Sequence, residues 1–252
     1  MAGTVAETAA GTAAGTAAEH WPQQQRKQDE DAGQRGLDEL LAPGWPRGLA
    51  EVAGRGRTSL ALRVLQAARA AGQPVAWVDG TGGFCPATCC SSTEADELSG
   101  LTLVRTCVRT APRAGPPTEV LSARRTGRRP RSPGDAARFA ADVLLRSRAY
   151  SLVILELPGR GRGAAGARIS EWFRLGRLAS RARSLLLLLH DGERAVTGSA
   201  SELALAVRLV ASPGPPWADL PPPALAVRVL RHRAAPERQG REVTLPALRA
   251  CD

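Results

Sequence analysis

The sequence predicts an α/β protein: a mostly parallel sheet with flanking helices, finished by a C-terminal hairpin. Three observations carry that expectation. Short runs at 152–157 and 184–189 are continuously apolar apart from Glu156 and Ser184, as strands covered on both faces are. Stretches with apolar residues at helical spacing separate the strand-like runs, which implies parallel pairing through right-handed crossovers. Near the C-terminus, the segments 224–231 and 242–245 read as the two arms of a hairpin.

The elements follow in order. Residues 1–35 are Ala/Gly/Thr repeats and then a polar stretch, and that composition cannot bury a core. Residues 36–246 form the expected core domain, and 247–252 a short tail. Gly36 to Leu41 reads as a helical turn leading into the Pro- and Gly-punctuated loop Pro43–Gly48. Leu49–Ala53 is a strand, and a Gly-rich turn joins it to a helix from Thr58 to Ala71, with Leu62, Val64, Leu65 and Ala68 at helical spacing and Gly72 as the stop. Pro74–Asp79 is a strand with an acidic end, followed by the loop Gly80–Gly83 and a helix through Glu97. Leu101–Val108 alternates as a strand. Residues 110–134 are rich in Pro and Arg and read as an insertion or linker. Gly134-Asp135 opens a helix to Ser147, with Phe139, Val143 and Leu144 on one face. Leu152–Leu157 is a buried strand carrying Glu156, Ala167–Ser180 a helix, and Ser184–Leu189 a second buried strand. After a loop from His190 to Ala200, Glu202–Val210 is helical or strand-like; a Pro-rich break at 212–223 precedes the hairpin.

Charge and cysteines bound the function classes. The chain has 252 residues and a net charge of +10, nearly all of it arginine, with Lys27 the sole lysine. That balance suits nucleic acid, another polyanion or an acidic protein. Five cysteines, Cys85, Cys89, Cys90, Cys107 and Cys251, lack the paired spacing of a zinc site, and the three histidines are scattered, so no metal centre is expected. An odd cysteine count without an export-type apolar segment predicts a reducing, intracellular setting. The longest apolar run, Leu185–Leu189, is far too short to span a bilayer, so no membrane partner is expected.

The stretch with chemistry in it is Glu51–Leu62, EVAGRGRTSLAL. A Gly-rich turn between a strand and a helix aims backbone N–H groups at one point, which suits a phosphate. The full phosphate loop reads G-x-x-x-x-G-K-[ST]. Gly56-Arg57-Thr58 fits its end, with Arg57 in place of lysine and Ser59 following. Gly54 stands as the opening glycine, but Arg55 alone separates it from Gly56, so the loop is shortened. The other reading is a plain strand–turn–helix corner.

The order of pieces resembles the bacterial RecA recombinase core, and within that superfamily the divergent RecA-like proteins of the ImuA type. The matching stretches are GWPRG, GRGRTS, VAWVDGTGGFCP, SLVILELP, LLLLLHDGERAVTGSASELALAVRL and VRVLRHRAAP, spread over about residues 36–246. The resemblance implies a RecA-like P-loop core whose nucleotide site, for ATP and Mg2+, comprises Gly54, Gly56, Arg57, Thr58, Ser59, Asp79 and Glu156. The family's water-activating glutamate falls at Thr81, which cannot act as a base, so nucleotide binding is expected to be weak or lost and turnover absent. No residue is assigned a catalytic role. DNA contact is expected from Arg194 in the loop after the second buried strand, and from Arg124, Arg125, Arg128 and Arg129 in the insertion, which otherwise reads as a solvated linker. Arg231 and Arg233 match basic residues that cross between RecA subunits; the other reading is charge protecting a strand edge. The resemblance implies an accessory role in SOS-linked DNA repair and translesion synthesis, with DNA, RecA and a translesion polymerase homologue as partners, in the cytoplasm at the nucleoid. The competing expectation is an ATP-dependent recombinase acting on single-stranded DNA.

Overall fold

The computed structural model describes Arg35, Leu37, Asp38, Leu41 and residues 44–84, 100–106, 132–157, 167–192, 195–211 and 223–246. The five cysteines, the insertion arginines Arg124, Arg125, Arg128 and Arg129, the loop arginine Arg194 and the helix expected before Glu97 lie outside the described residues.

Eight strands form one sheet: β1 (Leu49–Ala53), β2 (Val75–Asp79), β3 (Leu101–Arg105), β4 (Leu152–Glu156), β5 (Leu185–His190), β6 (Leu203–Ala211), β7 (Pro223–His232) and β8 (Glu242–Pro246). Their spatial order is β3-β2-β4-β5-β1-β6-β7-β8. The first six in that order pair in parallel, and β7 and β8 run antiparallel. The α/β fold class is thus as the sequence implies. The third of its helices ends past Ser180, and Glu202–Val210, open between helix and strand in the sequence, is the strand β6.

Alternation assigns the two faces. Val52, Trp77, Ile154, Leu187 and Leu205 point to one side, where they pack with α1 (Arg57–Ala70) and with Leu37 and Leu41. Leu49, Val78, Leu155, Leu186 and Leu188 point to the other, beneath α2 (Pro133–Ser147) and α3 (Ile169–Ala182). A strand between two helical layers has no wet face, which is why the leucine run of β5 needs no polar alternation. Trp77 is fully buried and stacks on Phe84 at 4.0 Å between ring centroids.

Two boundaries differ from expectation for local reasons. Helix α2 starts at Pro133, capped by Ser132, whose hydroxyl accepts from the Asp135 N–H at 3.1 Å. Proline suits the first helical position because its missing N–H would have no partner there. Strand β3 stops at Arg105, which turns its guanidinium to the Phe84 carbonyl at 3.0 Å. At the other side of the sheet, the β6–β7 register shifts between Ala204 and Leu205, where Ala204 faces Arg231 and Leu205 faces Val229. Leu230 is the extra residue of that bulge.

Candidate functional site: the carboxyl edge of the sheet

In an open α/β sheet, ligands bind beyond the carboxyl ends of the strands. Here that edge brings together the turn after β1, the ends of β2 and β4, and the segment after β5. The turn is tight: Gly54, Arg55 and Gly56 alone join β1 to α1, and the first helical hydrogen bond already runs from Leu60 N to Gly56 O at 3.1 Å. Gly54 has φ +102°, and a Cβ placed on it would overlap the Val207 carbonyl oxygen of β6. Gly56 has φ +98°, and a Cβ there would lie 2.7 Å from Leu225 Cδ2. Both glycines are therefore demanded by the approach of β6 and β7.

Arg57 opens α1 and folds back across the edge. Its Nη1 donates to the Gly54 carbonyl at 3.4 Å, and its Nη2 lies 3.9 Å from Glu156 Oε1. Thr58 and Ser59 stand half-buried beside it. Burial pushes the Glu156 carboxyl above the ordinary glutamate range; the Arg57 guanidinium opposes that rise, and the Asp79 carboxylate adds to it. Asp79 itself is spoken for. Its Oδ1 accepts from Thr81 N at 2.9 Å, Thr81 Oγ1 at 2.9 Å and Gly82 N at 2.6 Å, while Oδ2 accepts from Phe84 N at 3.1 Å. It closes an Asx-type turn, using an acceptor pattern common in such loops.

These residues do not fit a magnesium–triphosphate group. The turn onto β6 and β7 leaves no loop of amides to wrap a phosphate chain, and a guanidinium stands against the carboxyl that the resemblance assigns to the metal. Arg57 Nε is buried without a hydrogen-bond partner, but a single donor does not replace a ring of backbone N–H groups.

A fully buried carboxylate beside this edge is not among the residues singled out from the sequence. Glu51, on β1, is 0% exposed and faces the α3 side. It accepts from His190 Nε2 at 2.7 Å, Thr197 N at 3.3 Å, the Thr197 hydroxyl and Val196 N. His190 Nδ1 accepts from Gly192 N at 3.1 Å, so Nε2 carries the hydrogen it gives to Glu51. Burial alone would raise the Glu51 carboxyl; the hydrogen bonds from His190, Thr197 and Val196 more than reverse this and hold it below the ordinary range. The signal available in the sequence was an acidic residue inside an otherwise apolar strand.

Arg231 and Arg233 share a side, as alternation implies, and both reach a turn of their own chain. Arg231 Nη1 donates to the Gly198 carbonyl and to Ser201 Oγ at 3.1 Å, and Arg233 Nη2 to the Ser199 carbonyl. They clamp the 3-10 turn Gly198–Ala200. Arg231→Ala is expected to lower stability by about 1.5 kcal/mol, the range for a charge-assisted bond, because it leaves the part-buried Gly198 carbonyl and Ser201 hydroxyl without its guanidinium. Urea midpoints of Arg231→Ala and Arg233→Ala, compared with the parent, check this, and the exposed Arg233 should show the smaller shift.

No family model matches the chain, and no curated protein matches its sequence. Among solved structures it is similar to the crystal structure of the RadB recombinase, at 18% identity and a TM-score of 0.55, over 82% of this chain and 91% of that one. The likeness is one of fold: the chain has the RecA-like α/β architecture. Among the described residues no helix is long and apolar enough to cross a membrane, and no cluster of His, Cys, Asp and Glu is arranged to hold a metal ion.

Proposed function

We propose that this chain is a RecA-fold accessory protein of DNA repair that works by docking rather than by nucleotide turnover. The observation that supports this most is Arg57 lying against Glu156 across a shortened turn. A cation supplied by the chain itself stands where phosphoryl-transfer chemistry needs magnesium and phosphate. Thr81, at the position of the family's water-activating glutamate, carries no base and bonds to Asp79. In this reading the partners are DNA, held without sequence preference, a RecA filament, and a translesion polymerase homologue of the ImuA-type setting. The protein acts in the cytoplasm at the nucleoid.

A second reading, an ATP-dependent recombinase, draws on the positions of Thr58 and Glu156. Phosphate release by the purified chain with magnesium, ATP and single-stranded DNA separates the two. The accessory reading expects no release above background, and the same trace from Thr58→Ala and Glu156→Gln. Release that Thr58→Ala abolishes would restore the enzyme.

A further inference from the structure

The outer surface of the two helices on the Glu51 side carries a groove of about 350 Å3 lined by Arg146, Ser170, Arg174, Arg177, Leu178 and Arg181. Arg174, Arg177 and Arg181 recur at i, i+3 and i+7, which puts them on one stripe of α3. Arg146 enters from the last turn of α2. The nearly buried Asp142 sits between the helices and takes Arg146 Nε at 2.8 Å and Arg174 Nη1. That carboxylate fixes two of the guanidinium groups in place. Arg177 and Arg181 are exposed and have no hydrogen bond or ion pair among the described residues. Four cations thus line one groove, and the one carboxylate between the helices pairs with only two of them.

We propose that this groove binds the phosphate backbone of duplex DNA. The inference rests on the accessory reading above and assigns its DNA contact to a specific surface. The stripe from Arg174 to Arg181 rises about 10.5 Å along the helix, from 1.5 Å per residue. That is long enough to meet more than one phosphate of a duplex strand, whose charges advance about 3.4 Å each along the duplex axis. Guanidinium forks suit phosphate oxygens. The groove lining contains no aromatic ring, whereas single-strand grooves stack bases on such rings. The surface is also separate from the carboxyl edge. Ser180 and Gly176 approach Gly48 and Leu49 at the start of β1, while Ile169, at the other end of α3, approaches Gly198. The groove runs along α3 from Ser170, and its Arg177 and Arg181 lie toward the amino ends of the strands, on the opposite face of the sheet from α1 and Arg57.

The test is fluorescence anisotropy of a labelled mixed-sequence DNA duplex titrated with the full chain, over about 50 to 200 mM salt. Arg177→Gln/Arg181→Gln removes the two unpaired cations and touches no bond of the fold, so its thermal melt should equal the parent's. The expected result is a salt slope shallower by about 0.9 per lost contact, or roughly 1.8 in all, with affinity down roughly tenfold at the lowest salt. Arg177→Lys/Arg181→Lys should keep the slope. An unchanged slope in the Gln variant, with the parent binding, overturns this surface and leaves the accessory reading standing. A parent that does not bind duplex or single strand at low salt overturns both. Loss of RecA capture in the Gln variant, with its DNA slope unchanged, would reassign the groove to an acidic protein.

Discussion

Glu51→Ala is expected to cost about 3–5 kcal/mol, the loss seen when one partner of a buried polar pair is removed. The mutation removes the carboxylate that His190 Nε2–H, the Thr197 hydroxyl and two backbone N–H groups donate to. Set against the 5–15 kcal/mol of a typical domain, that is enough to unfold a marginal chain. Glu51→Gln keeps an acceptor oxygen and the side-chain volume, and should cost about half as much. The pH dependence separates the charge from the shape. The folded chain holds the Glu51 carboxyl below its unfolded value, so the unfolded chain takes up the proton first. The stability Glu51 contributes is therefore full above the ordinary glutamate value of about 4.3 and is lost as the pH falls through the lower folded value. Urea unfolding of the parent and of Glu51→Gln at neutral and acid pH should show the gap between them closing in that acid window. A gap that stays constant with pH would assign the network to packing alone.

Gly54→Ala is expected to be nearly as damaging, by about 3 kcal/mol or more. A positive φ costs a non-glycine residue about 1–2 kcal/mol. The larger part comes from the methyl meeting the Val207 carbonyl oxygen, which is backbone and cannot rotate away. Gly72 makes the comparison exact in kind: it also has positive φ, at +68°, but a Cβ there meets nothing within 4 Å. Gly72→Ala should lose about 1 kcal/mol and no more. Gly56→Ala should fall between them, because the Leu225 methyl it meets lies on a side chain that can shift. Equal melting temperatures for Gly54→Ala and Gly72→Ala would mean that β6 does not hold the turn. A phosphate-binding glycine would behave differently, with its substitution lowering ligand affinity and sparing the fold.

What the sequence made legible follows from how local each cause is. The β5 leucines announce a strand with two dry faces, and the Ser132–Asp135 cap is contained within four residues, although in the sequence that helix reads as opening at Gly134-Asp135. The substitution of arginine for lysine at Arg57 was visible as a residue type. That Arg57 would turn to Glu156 was not, because the contact depends on β5 lying between β1 and β4. Asp79 was read as a ligand residue, yet the glycines and threonine after it already spelled a self-capping turn. The direction of Arg231 and Arg233 was readable from strand alternation, and their target was not, since the Gly198–Ala200 turn is brought to them by the pairing of β6 with β7. Glu51 was illegible for the same reason at longer range: its histidine partner is 139 residues away in the chain. The groove arginines also lie at helical spacing, but on the polar face of α3, where spacing alone does not separate a binding stripe from a solvated one.

The strand order also sets the timetable of folding. β1 leaves the ribosome early, but both its neighbours, β5 and β6, come from the last third of the chain. The bond from Val196 N to Glu51 closes a separation of 145 residues. Until β5 is made, β1 has no native neighbour to pair with, although α1 can already pack on β2 and β4. Such long-range closure is slow, because loop entropy is lost before the contacts that repay it form. The central strand therefore joins late, and chains ending before residue 185 should expose β1 as an unpaired apolar segment, the kind of surface that chaperones bind and aggregates grow from.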